Sequence, residues 1–209
     1  MRTDRTNPLA GWALVGWCSL LLATIAIAIL FVRGTGEVGL RTLIRTTAQT
    51  SFILFTSAFT ASSLSQLWRA PWTRWLLVNR RYIGVSFAVS HFIHLIAIVA
   101  LTYQLGDKFQ LSAATVVGGG LAYVFIAAMT ATSFDRSAAW LGPRAWRALH
   151  TTGVYAIWLI FFVSYAPRAA QSLLYVPLAG VLLAAIGLRL FARLRSRRHL
   201  AATAAAAAN

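Results

Sequence analysis

Six apolar runs divide the chain, at roughly 12–32, 46–67, 82–104, 112–132, 146–166 and 172–192. Each is near the ~20 residues that a helix needs to cross a bilayer. Short polar stretches rich in arginine separate them. The pattern predicts an all-α, polytopic membrane protein, a six-helix transmembrane bundle with short loops and no extramembrane domain. The second run is the least apolar, with Thr47, Gln49, Thr50, Ser51, Thr56, Ser57, Thr60, Ser62, Ser63 and Ser65. Small hydroxyl residues allow close helix–helix approach and bond to carbonyls, so this run is expected to be a packing helix inside the bundle. The first run, Trp12 to Val32, has no small-residue cleavage site before the next polar stretch and is expected to be a retained helix. The expected organisation is a segment 1–11, a membrane domain 12–192, and a tail 193–209 that is basic and then alanine-rich.

The cationic residues set an orientation. With the N-terminus inside, the inner segments hold Arg2, Arg5, Arg69, Arg74, Arg80, Arg81, Arg136, Arg144, Arg147, Arg189, Arg193, Arg195, Arg197 and Arg198. The outer segments hold only Arg33, Arg41, Arg45, Lys108 and Arg168. Positive charge accumulates on the cytoplasmic side of membrane proteins, so both termini are expected there, in a multi-pass cell-membrane protein. The third and fifth helices then run in the same direction.

Composition agrees. Of 209 residues, 59% are hydrophobic and 11% charged, with mean hydropathy +0.70. The formal charge of +15 does not point to nucleic acid, because the arginines cluster at the ends of apolar runs and form no recognition motif. The basic part of the tail is expected against anionic lipid headgroups. Trp68, Trp72, Trp75, Trp140 and Trp146 fit an interfacial aromatic belt. Gly118 to Gly120 suggest close packing or a kink in the fourth helix. Cys18 alone forms no internal disulfide.

Three of the four histidines, His91, His94 and His150, lie in apolar runs, whereas His199 is in the tail. Ionisable groups at bilayer depth are expensive and tend to be functional. His91 and His94 are three apart and share one helix face. The only acidic residues are Asp4, Glu37, Asp107 and Asp135, all outside the apolar runs. That disfavours a proton relay and a hydrolytic zinc centre, both of which want a nearby carboxylate. Haem asks for less: one or two axial imidazoles, an apolar slot, and arginines for its propionates. Arg80, Arg81, Arg144 and Arg147 are candidates for the last. The competing structural reading is that each histidine bonds to a neighbouring helix as membrane glue.

The stretch RRYIGVSFAVSHFIHL (Arg80 to Leu95) resembles the third-helix motif of ferric-reductase-like transmembrane proteins. LGPRAWRALHTTGVYAIW (Leu141 to Trp158) resembles their fifth-helix motif, with Trp146, Leu149, His150 and Tyr155 at matching positions. TGEVGLRTL (Thr35 to Leu43) is similar to the stretch before their second helix. Within that superfamily the likeness is to the haem-binding membrane subunits of periplasmic methionine sulfoxide reductase systems, and it covers most of 35–166. It implies His94 and His150 as iron ligands; His91 has no counterpart in the family pattern and stays a candidate by its position alone, as Arg80, Arg81 and Arg147 do by their charge. Val163 stands where the family often has a further histidine, so a second haem lacks that ligand.

The resemblance implies a haem b protein that passes electrons from a cytoplasmic-side donor, a flavoprotein or a quinone, to an acceptor on the outer face. The chain has no Gly-rich nucleotide fingerprint after the sixth helix, so it would be an oxidoreductase component without a flavin or nicotinamide domain of its own. A haem-less scaffold or assembly partner of the same fold is the alternative. Depth complicates the pairing. His94 lies ~20 Å beyond Arg81 along a helix, and His150 lies ~9 Å beyond Arg144. If the arginines mark one interface, the rings differ in depth by ~11 Å, and His91 narrows this to ~6 Å. The sequence thus allows His94 with His150, His91 with His150, or haem held by one histidine.

Overall fold

The computed structural model describes residues 9–207, with side chains through Arg198. Arg2, Asp4, Arg5 and the side chain of His199 lie outside the described residues. The described chain is helical, with no strand: α1 (Gly11–Arg33), α2 (Glu37–Leu67), α3 (Pro71–Leu105), α4 (Ala113–Ala131), α5 (Asp135–Leu141), α6 (Pro143–Gln171) and α7 (Val176–Ala207). Five of these regions are long and apolar enough to cross a membrane: Gly11–Arg33, Pro71–Lys108, Ala113–Ala131, Pro143–Gln171 and Leu173–Arg198. This is the pattern of a multi-pass membrane protein. Large apolar side chains lie on the outside, among them Phe31 at 88% exposure, which is consistent with lipid contact.

The sixth long helix, α2, has 31 residues but falls short in apolarity because of its hydroxyls. Its charged beginning does not interrupt it, since Glu37 and Arg41 pair one turn apart at 2.7 Å. The helices also outrun the apolar pattern. α3 starts at Pro71, about ten residues before its hydropathy rises, with proline at the first position, where its missing N–H is harmless. At 35 residues it is ~52 Å long, well beyond a hydrocarbon core of ~30 Å. α7 continues through the alanine run to Ala207, as alanine's helix propensity favours.

The described chain forms two compact units. Unit 1 holds residues 1–55 and 81–160, and unit 2 holds residues 56–80 and 161–209; α2, α3 and α6 each contribute to both. In unit 1 the α2–α3 seam is polar. Ser90, fully buried, lies 2.8 Å from the Thr50 hydroxyl, accepts from Ser51 at 2.9 Å, and donates to the Thr47 carbonyl. The hydroxyl-rich second segment is thus a packing helix here. Trp12 stacks on Phe134 at 5.0 Å and meets Tyr82 edge-on at 5.4 Å, which ties the start of α1 to α3 and to the α4–α5 connection. In unit 2, Arg189 of α7 is buried, donates to the Phe59 carbonyl at 2.8 Å, and lies 4.2 Å above the Phe59 ring. It is a packed side chain, although the arginine count placed it with the interfacial charges.

Two local expectations change. α5 and the turn after it occupy what reads as a loop. Gly142 ends α5 with φ +79, its N–H bonded to the Ala138 carbonyl, and Pro143 opens α6. The glycines 118–120 lie in continuous α4, and nothing stands within 4 Å of a Cβ built on any of them. The close approach occurs instead at Gly153 of α6, where a Cβ would sit 2.3 Å from Met129 Sδ and 3.3 Å from Phe125 of α4.

Candidate functional site

The three histidines of the apolar runs all belong to unit 1, and each has a distinct setting. His94 points at α2. Its Nδ1 is 3.0 Å from the Ile44 carbonyl and 3.0 Å from Thr47 Oγ1. A carbonyl can only accept, so Nδ1 carries the proton. The Thr47 hydroxyl donates its own hydrogen to the Leu43 carbonyl at 2.7 Å, which leaves its lone pairs to share the His94 N–H. In the neutral ring the lone pair is then on Nε2, which has no hydrogen-bond partner among the described residues. One nitrogen is pinned and the other is a free donor, the usual disposition of a metal-binding histidine.

His91 lies one turn earlier on α3. Its ring stacks on that of His94, with centroids 5.2 Å apart, and packs against Phe87 at 5.3 Å and Tyr123 of α4 at 5.0 Å. The Tyr123 hydroxyl donates to the His91 carbonyl at 3.2 Å. These contacts fix the α3–α4 register around the histidine pair.

His150 of α6 faces the end of α4. Its Nε2 is 3.0 Å from Thr132 Oγ1. The Thr132 hydroxyl proton goes to the Ala128 carbonyl at 2.8 Å, so His150 Nε2 donates to Thr132. Trp146, one turn earlier, stacks on the His150 ring at 4.1 Å and donates its indole N–H to the Thr132 carbonyl at 2.9 Å. That carbonyl is at the C-cap of α4, where acceptors lack intrahelical partners. Trp146 therefore has a specific capping role beyond that of a belt residue.

The arginines diverge. Arg81 pairs with Asp135 at 2.5 Å and lies over the Trp12 and Tyr82 rings. Arg147 donates to the Pro143 carbonyl at 3.0 Å on an exposed face, and Arg144 is also exposed. Arg80 belongs to unit 2, where it donates to Ser62 at 3.0 Å.

His94 offers an oriented imidazole with an open Nε2, which is what an axial ligand to haem would need. His150 meets that need less well, because its Nε2 is engaged with Thr132. Among the described residues no three His, Cys, Asp or Glu side chains gather into a metal-holding group. Thr47, the Ile44 carbonyl, Tyr123 and Thr132 were not among the sequence-based candidates. A signal for part of this was present: Ser90 and His94 recur at helical spacing on α3, as do Thr47, Thr50 and Ser51 on α2, and two polar stripes in apolar surroundings are expected to face each other. Comparison with protein-family models, curated proteins and solved structures finds no match to this chain.

Proposed function

We propose that this protein binds haem b and carries electrons across a membrane, as a six-span bundle with both termini on the cytoplasmic side. The observation that carries the reading is the free Nε2 of His94, in a span where an unpartnered polar atom is costly. Haem, when bound, supplies a one-electron iron couple. His94 would hold it through Nε2, while Ile44 and Thr47 keep the ring oriented and its ligating nitrogen electron-rich. His91, Phe87 and Tyr123 wall the same region. Arg147, exposed near the start of α6, has donors left for a propionate. His150 joins as a second ligand through Nε2 only if its ring leaves Thr132. A flavoprotein or quinone on the cytoplasmic side is the donor, and the acceptor is on the outer face. The fourteen-to-five distribution of cationic residues supports the orientation. The membrane is taken as a bacterial cytoplasmic one.

The test is a reduced-minus-oxidised optical spectrum of protein purified after haem-replete expression. Soret and alpha bands are expected; His94→Ala should abolish them, and His150→Ala should retain most of the bound haem. Absence of the bands in the wild type, or a wild-type spectrum in His94→Ala, would overturn the reading.

A haem-less scaffold is the second reading. It is favoured by the fact that His94 and His150 each already bridge two helices, α3 to α2 and α6 to α4. It predicts no haem bands, with both alanine variants lowering stability alone.

A further inference from the structure

We propose that a cavity in unit 2 binds the phosphate of an anionic phospholipid headgroup. The cavity has a volume of about 370 Å³ and is lined by Gln66 and Leu67 at the end of α2, by Arg69 in the connection to α3, and by Ala192, Arg195 and Ser196 on α7. Its two arginines have no Asp or Glu in the unit to pair with. Unit 2 contains nine arginines and no Asp or Glu, because all four acidic residues of the chain fall in unit 1. Two of those four are already committed, Glu37 to Arg41 and Asp135 to Arg81. Neither Arg69 nor Arg195 has a side-chain hydrogen bond or ion pair among the described residues. Both arginines are exposed where they line the cavity, with no Asp or Glu in the unit to pair with them, so they are open to an anion from outside the chain. The planar fork of arginine matches two phosphate oxygens at once.

The surroundings favour a lipid over a free ion. The apolar region Leu173–Arg198 ends at this cavity, which places it at a lipid–water boundary. Trp68 and Trp72, close to Leu67 and Arg69 in sequence, are 54% and 55% exposed, as tryptophans at headgroup depth would be. Leu67 and Ala192 give the wall an apolar part for the start of the acyl chains, while Gln66 and Ser196 offer neutral partners to glycerol and ester oxygens. Basic pockets between membrane helices are a recurring site for anionic headgroups.

The full-length protein in neutral detergent is titrated with phosphatidylglycerol, phosphatidylcholine or inorganic phosphate, and bound molecules are counted by native mass spectrometry. One retained phosphatidylglycerol is expected, with phosphatidylcholine and inorganic phosphate held at least about tenfold more weakly, ~1.4 kcal/mol. The double variant Arg69→Gln/Arg195→Gln should lose about tenfold in phosphatidylglycerol affinity, whereas Arg197→Gln/Arg198→Gln, with the same charge removed outside the cavity, should not. Arg69→Lys/Arg195→Lys keeps the charge but not the fork and should lose part of the affinity, which provides the test if the glutamine pair does not fold. Equal losses in the two glutamine doubles, an unchanged lysine double, or inorganic phosphate bound as tightly as the lipid would overturn the proposal.

Discussion

Ser90 shows what a single small polar residue does in a span. It is fully buried and engages three groups of α2, so its hydroxyl stitches two helices where no water competes. Ser90→Ala is expected to lower stability by roughly 0.6 kcal/mol for each bond lost, about 2 kcal/mol for the three. Ser90→Leu should cost about 1–3 kcal/mol more, because a larger side chain must also push the helices apart. Reversible unfolding in mixed micelles checks both, and an alanine variant as stable as wild type would refute the role. Thr47 matters differently, since it shares the His94 N–H. Thr47→Val keeps the shape and the Ile44 bond, so the spectrum proposed above should shift slightly without disappearing.

At the scale of elements, α6 is placed on α4 by a small residue and a clasp. Gly153 lets Met129 and Phe125 come within contact, and one turn earlier His150 and Trp146 hold the end of α4 through Thr132. Gly153→Leu is expected to destabilise by about 1–3 kcal/mol through overpacking and to change the fluorescence of Trp146. Thermal unfolding and emission spectra measure these, and an unperturbed variant would show that the two helices do not meet as described. α2 shows why hydropathy alone misjudges an element. Its hydroxyls lower its mean hydropathy, yet Thr47, Ser51 and Ser63 are buried and Phe52, Phe55 and Phe59 fill the core. A helix enclosed by protein need not be apolar all round, because its polar groups find partners inside. α5 was hidden for the opposite reason, being too short for a periodic signal, although Gly142 followed by Pro143 marks its end.

For the whole molecule, the orientation can be tested directly. In a Cys18→Ser background, Lys108→Cys is expected to react with a membrane-impermeant thiol reagent on intact cells. Arg74→Cys and Arg136→Cys should react only after permeabilisation; the reverse pattern would sink the proposed topology. The Arg81–Asp135 pair is a weak contributor by comparison, since the Asp135 side chain is 93% exposed. Asp135→Asn should change stability by under about 1 kcal/mol in a denaturation titration.

The apolar runs by themselves determined the helical class, the long spans and the histidines worth examining, because burying a polar backbone in lipid leaves helices as one of very few solutions. They also marked the ends of spans only loosely, since a helix continues past the lipid as far as propensity and caps allow, as α3 and α7 do. Only the tertiary structure decided what each histidine touches. Ring nitrogens choose partners within about 3 Å, a distance set by helix rotation and approach, which no one-dimensional pattern encodes. It turned the Nδ1 of His94 to the Ile44 carbonyl and left Nε2 open, and it turned the Nε2 of His150 to Thr132. It also set two arginines, unpaired among the described residues, around one cavity in the unit that has no Asp or Glu.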